Sequence, residues 1–125
     1  DHEVFSRKPR LQDLLRHRWV LAPQSSATRQ WLDHAFRTRT LTTPTVQIET
    51  NLILLLPALI EANQLLSFIS RRHVGKGTRL KEVALRETTM RRTFAVSFRR
   101  GGYLSPAAER FVATLQSRGR ALFAR

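Results

Sequence analysis

Short apolar blocks run along this chain, and polar residues mark where each one starts and stops. Arg18 to Ala22 (RWVLA) is continuously apolar after its first residue and reads as a buried strand. Pro23 to Thr28 (PQSSAT) follows as a loop rich in helix-capping residues. From Arg29 to Arg37, Trp31, Leu32, Ala35 and Phe36 recur at the 3.6-residue period of an amphipathic helix. Thr42 to Pro44 breaks the pattern, and Thr45 to Glu49 (TVQIE) alternates as a strand does. Glu49 to Val74 holds two apolar runs, Leu52 to Ile60 and Leu65 to Ile69. Thr50 and Asn51 precede the first run, and Ser70 to His73 follow the second. Leu65 to Ile69 reads as a buried strand. For the first run the residues allow two readings. Ile53 to Leu56 continues the strand and Pro57 opens a short helix, or one helix from Asn51 to Ala62 bends at Pro57.

The flanks are weaker. Val4-Phe5 is a short strand candidate, and Leu11 to Leu15 a helical turn. Gly75-Lys76-Gly77-Thr78 is a turn, and Leu80, Val83 and Leu85 mark a weak strand. Phe94, Val96 and Phe98 alternate with Ala95 and Ser97, which predicts a strand with one face buried. Gly101-Gly102 ends it. Ser105-Pro106 supplies an N-cap with proline at the first helical position, and Glu109 lies near the positive end of that helix. Ala108, Phe111, Val112 and Leu115 are its apolar stripe, with Gly119 as the expected stop before a basic tail. Strands and helices alternate, so the expected fold is α/β with a mostly parallel sheet.

Composition sharpens this in two places. The 125 residues contain no cysteine, so disulfide and thiolate chemistry are excluded. No apolar run approaches the roughly 18 residues of a membrane span. Lys and Arg number 22 against nine Asp and Glu, a net charge of +13. Such a balance points to nucleic acid or another acidic partner. The basic residues, however, come in ones and twos, as at Arg71-Arg72, Arg91-Arg92 and Arg99-Arg100, and form no long run.

Catalytic motifs are missing. There is no Gly-x-Ser-x-Gly elbow, and the Gly75–Thr78 turn lacks the order of a phosphate loop. His2, His17, His34 and His73 have no i, i+4 pairing or carboxylate cluster, so no metal site or cofactor is expected. Glu82 and Glu87 read as solvated charges. Binding positions remain. Ser25, Ser26, Thr28 and Arg29 stand where a strand gives way to a helix, and their hydroxyls, free N–H groups and guanidinium suit a carboxylate or phosphate. Ordinary N-capping is the simpler reading of the same residues. Thr50 and Asn51 occupy the next such junction, with the same two readings. Phe68 and Ser70 end the third strand. Phe68 is core or ligand wall, and Arg71-Arg72 a solvated pair or an aid to anion capture.

The stretch ETNLILLLPALIEANQLLSFISRRHV resembles the effector-binding domain of LysR-type transcriptional regulators. The nearest likeness is to regulators of sugar and aromatic-acid catabolism. It extends upstream through DHEVFSRKPRLQDLLRHRWVLAPQSSATRQWLDHAF and downstream through FAVSFRRGGYLSPAAERFVATL. The resemblance implies a lobe of the type II periplasmic-binding-protein kind over residues 1–125, mainly the family's second lobe, and favours one helix from Asn51. In the family two such lobes close on a small effector. By position, Ser25, Ser26, Thr28, Thr50, Asn51, Phe68 and Ser70 would face that cleft. The implied partner is a sugar acid or aromatic acid, and the implied state is a cytoplasmic homo-oligomer. DNA would be bound by an N-terminal domain that has no counterpart here, as most of the first lobe has none.

Asp1 to Phe5 resembles the first hinge crossing and Phe94 to Phe98 the second. The sequence departs from the family in the turn before the third strand. A Gly-x-Gly is common there, and this chain has Glu61-Ala62-Asn63-Gln64. The family's proline after that strand is replaced by Ser70-Arg71. The charge alone supports an alternative, a small basic nucleic-acid-binding module. A transport solute-binding lobe shares the fold but fits a pI near 11.9 poorly.

Overall fold

The computed structural model describes residues 2–75 and 77–123, without the side chains of residues 120, 122 and 123. The chain divides into two units, Asp1–Met90 and Arg91–Arg125.

In the first unit, Trp19–Leu21 forms β1, Val46–Glu49 forms β2 and Leu66–Ser67 forms β3. They pair in the order β2-β1-β3, and both pairings are parallel. Central β1 is buried along its whole length. Successive side chains of a strand point to opposite faces, and β1 uses both. Trp19 and Leu21 join a core with Val4, Leu11, Leu14, Leu32, Phe36 and Leu66, whereas Val20 joins Leu56 and Leu65. Leu32 and Phe36 come from helix α1, Ala27–Arg37, and Leu56 from helix α2, Leu56–Asn63. A helix therefore covers each face of the sheet. A register shift opposite Trp19 and Val20 sends Val46 to the first core and Ile48 to the second, although they sit two residues apart.

Three polar groups that enter this core are satisfied. The Trp19 indole N–H donates to the Leu14 carbonyl at 3.1 Å, and the Ser67 hydroxyl donates to the Val20 carbonyl at 2.8 Å. Asp13 is buried, accepts the Arg10 N–H at 2.9 Å and receives the Arg10 and Arg7 guanidinium groups at 3.4 Å. The backbone hydrogen bond, followed by these cations, holds its carboxyl below the ordinary value despite burial.

Several expectations need correction. Val4-Phe5 is part of a 3-10 turn, Glu3–Phe5, and its buried member Val4 plugs the core. Leu11 to Leu15 does turn, as a 3-10 helix over Leu11–Arg16. The single helix from Asn51 is not formed. A 3-10 turn at Ile53–Leu55 precedes α2, because Pro57 lacks an N–H and fits only the first turn of a helix. Ile53 to Leu56 does not extend the strand either. The third strand is shorter than Leu65 to Ile69, with only Leu66–Ser67 paired. Leu80, Val83 and Leu85 make no strand, although Val83 and Leu85 pack on the first core. Thr78 N–H does close a turn onto the Gly75 carbonyl at 3.2 Å, while Lys76 lies outside the described residues. Glu82 is exposed, but its carboxylate accepts from Arg71 at 2.7 Å.

In the second unit, helix α3 spans Pro106–Phe123 and passes through Gly119 without stopping. Ser105 caps it by accepting the Ala108 N–H at 3.3 Å. Phe94 to Phe98 is not a strand, and every residue from Arg91 to Tyr103 is exposed. Its alternation defines two faces but supplies no partner, and a strand exists only as half of a ladder.

Candidate functional site

Parallel strands deliver all their C-terminal ends to one edge of the sheet. Here Leu21, Glu49 and Ser67 are those ends, so the segments that follow them share that edge. The chain leaves β1 for β2 on one side through α1, then returns past β1 to β3 on the other side through α2. The direction of winding reverses at β1/β3, which is where open α/β sheets hold ligands. Ser25, Ser26 and Thr28 lie on one side of that switch point, and Phe68 and Ser70 on the other. Thr50 and Asn51 flank β1 from the β2 side, with the Thr50 N–H donating to the Leu21 carbonyl at 3.0 Å.

The first junction is built by capping. The Ser26 hydroxyl accepts the Arg29 N–H at 3.2 Å and lies 3.3 Å from the Thr28 hydroxyl. The amides of Ala27 and Thr28 open the helix and have no intrahelical acceptor. They give this edge a partial positive charge. Ser25 is exposed. The Thr50 hydroxyl accepts the Leu52 N–H at 3.1 Å, Asn51 is exposed, and Ser70 caps the turn Arg71–His73. Phe68 stacks flat on Trp31 of α1, with ring centroids 5.4 Å apart and 5° between planes.

Arg29 differs from its expected form. It is 5% exposed, and its Nε donates to both oxygens of buried Asp33 at 3.0 Å. Its Nη1 is buried and meets no acceptor. An unsatisfied buried donor is costly, and a donor of this kind suits an incoming oxyanion. Asp33 was missed by sequence reading, although its i, i+4 spacing from Arg29 was a usable signal. Arg71 is tied to Glu82, so its guanidinium is partly spent.

Two surface cavities lie away from this edge. One of about 240 Å³ is lined by residues including Glu3, Arg7, Arg16 and His17. The other, about 530 Å³, is lined by Trp31, His34, Thr38 and Arg86 among others. Among the described residues no group of three or more His, Asp or Glu can hold a metal, and no helix is long and apolar enough to cross a membrane.

The fold defines an α/β ligand-binding lobe with its candidate site at the carboxyl edge of a parallel sheet. The family model of the LysR substrate binding domain matches residues 1–120, and the chain belongs to that family. Its fold is of the type II periplasmic-binding kind, and it is an effector-binding regulatory domain of LysR-type transcription regulators. No curated protein and no solved structure matched the chain.

Proposed function

We propose that this chain binds a small anionic metabolite, a sugar acid or an aromatic acid, at the strand ends and converts occupancy into a change of oligomer geometry. The observation that carries this reading is the convergence of the capped start of α1 with the Phe68–Ser70 segment at the switch point. Ser25, Ser26, Thr28, Thr50, Asn51 and Ser70 supply hydroxyl and amide partners. Arg29 supplies charge, and Phe68 an apolar wall backed by Trp31. Within the full regulator, DNA contact belongs to another part of the protein, and the whole acts in the cytoplasm.

A ligand that binds only the folded state stabilises it. An acid at about a hundredfold its Kd adds about 2.7 kcal/mol, a rise in Tm of roughly 15 °C for a unit of this size. The expected result is a rise with one class of acid that is reduced in Ser25→Ala and Thr50→Ala. The result against it is no rise with any acid together with DNA binding that weakens steeply with salt. That outcome favours the alternative, a basic nucleic-acid-binding module. The alternative has its own support in the second unit, where Arg91, Arg92, Arg99 and Arg100 accompany exposed Phe98 and Tyr103.

The oligomer has support in four consecutive exposed apolar residues. Leu52, Ile53, Leu54 and Leu55 are 58, 60, 90 and 51% exposed. A contiguous patch of this kind marks a contact surface. Leu54→Glu is expected to leave the fold intact and shift sedimentation towards monomer. An unchanged sedimentation profile places the contact elsewhere.

A further inference from the structure

We propose that the cavity between α1 and the 3-10 turn Arg86–Thr88 is a second ligand site, and that it takes an α-amino acid with an aromatic side chain. Both walls belong to the first unit, and they touch. At about 530 Å³ the space lies within the roughly 300–1,000 Å³ of small-molecule sites.

Both walls are held by bonds made inside the chain. On the α1 side the Thr38 hydroxyl donates to the Ala35 carbonyl at 3.2 Å, and Arg39 Nη1 donates to the same carbonyl at 3.1 Å. Those bonds fix the Arg39 guanidinium on the last turn of the helix. Its Nε and Nη2 meet no acceptor among the described residues. The opposite wall is tied to the larger core. Leu85, just before the turn, packs on that core, and its carbonyl accepts the Thr88 N–H at 3.2 Å and the Thr89 hydroxyl at 2.7 Å. The cavity is therefore set before a ligand arrives, which lowers the cost of binding.

Its chemistry selects the ligand. Arg39 and Arg86 bring two cations to the cavity, and half-buried Glu87 brings one anion. Among the described residues the Arg86 and Glu87 side chains make no hydrogen bond or ion pair, with each other or with a third group. Opposite charges that share a cavity and stay apart fit a ligand that carries both. A carboxylate pairs with the guanidinium groups, which present fixed forks of donors, and an ammonium pairs with Glu87. A plain acid gains the first contact and meets Glu87 as a repulsive neighbour, and a plain amine has the reverse fault. Trp31 receives the apolar part. Phe68 covers one face of its indole, and the indole also lines the cavity, where its N–H meets no acceptor among the described residues. With Ala35 one turn further along α1, this surface suits an aromatic ring. A ligand that moves the indole also moves Phe68, the wall assigned to the effector. That consequence rests on the strand-end reading, and the cavity itself does not.

The test is an NMR titration of the chain with L-phenylalanine, read at the indole N–H signals of Trp31 and Trp19. Trp19 is 3% exposed and donates to the Leu14 carbonyl, so it is the internal control. The expected result is a saturable shift of the Trp31 signal alone, weakened about tenfold in Arg86→Ala and in Glu87→Gln. Urea unfolding at the wild-type midpoint confirms that each variant is folded. Hydrocinnamate, which lacks the ammonium, and phenethylamine, which lacks the carboxylate, are each expected to bind about tenfold more weakly than the amino acid. Ser25→Ala and Thr50→Ala are expected to leave the titration unchanged, which separates the cavity from the strand-end site. No saturable shift at Trp31, equal binding of the three probes, or binding lost in the strand-end variants and kept in Arg86→Ala overturns the proposal.

Discussion

Phe36→Ala is expected to cost the first unit about 3–5 kcal/mol. Phe36 is fully buried in the larger core. Its ring meets Trp19 edge-on at 6.4 Å and 88°, and Leu32 lies one turn away in the same cluster. Its backbone carbonyl also receives the Arg39 and Leu41 N–H groups that end α1. Truncation removes the ring from the junction of α1 with the central strand and leaves a cavity that β1, held on both sides, has little freedom to fill. A domain of ordinary stability has about 5–15 kcal/mol to lose. Both tryptophans, Trp19 and Trp31, lie in this unit, so fluorescence during urea unfolding reads it directly. Phe98→Ala, at a ring that is 60% exposed, is the control and is expected to change the midpoint by less than about 0.5 kcal/mol. Equal effects at the two positions contradict the assignment of the core.

The elements that the sequence made legible are those whose pattern and whose partners lie close together. The α1 stripe packs as its spacing requires, with Leu32, Ala35 and Phe36 buried and Trp31 half-buried against Phe68. β1 needed only an apolar run between polar ends. Pro57 announced the start of α2 correctly, and the resemblance that favoured a longer helix drew the boundary away from it. Phe94 to Phe98 failed for the opposite reason, since alternation says which faces a strand has and nothing about what pairs with it. At the site, Ser26 and Thr50 were legible as capping candidates; Ser26 does cap α1, whereas Thr50 accepts the Leu52 N–H without capping a helix, and Ser70, read only as a strand end, caps the Arg71–His73 turn. These local bonds leave their use by a ligand to be tested. The hydrogen bond between His2 Nε2 and the Gln64 carbonyl was illegible because its two ends are 62 residues apart and one of them is a backbone atom.

Arg29 and Asp33 give the second large effect, and the one that bears on function. Both side chains are more than nine-tenths buried, and Arg37, the other cation near Asp33, is 3.8 Å away and exposed. Asp33→Ala leaves the Arg29 guanidinium buried without its counter-charge and is expected to cost about 3–5 kcal/mol. The double change Arg29→Met, Asp33→Leu removes both charges and fills the space, and such replacements are commonly neutral or stabilising by about 1–4 kcal/mol. Stability alone therefore does not explain why a pair sits here. The proposed site offers a reason to test: Asp33 fixes the guanidinium through Nε, and the buried Nη1, which meets no acceptor, is the donor that proposal assigns to an acidic ligand. Urea unfolding of the double variant, followed by the same thermal screen against acids, separates the two roles. A variant that unfolds at the wild-type midpoint or above, and no longer responds to the acid that stabilises the native chain, assigns the pair to ligand capture. Retained response in a folded double variant removes Arg29 from the site, and a cost below about 1 kcal/mol for Asp33→Ala contradicts the buried pair itself.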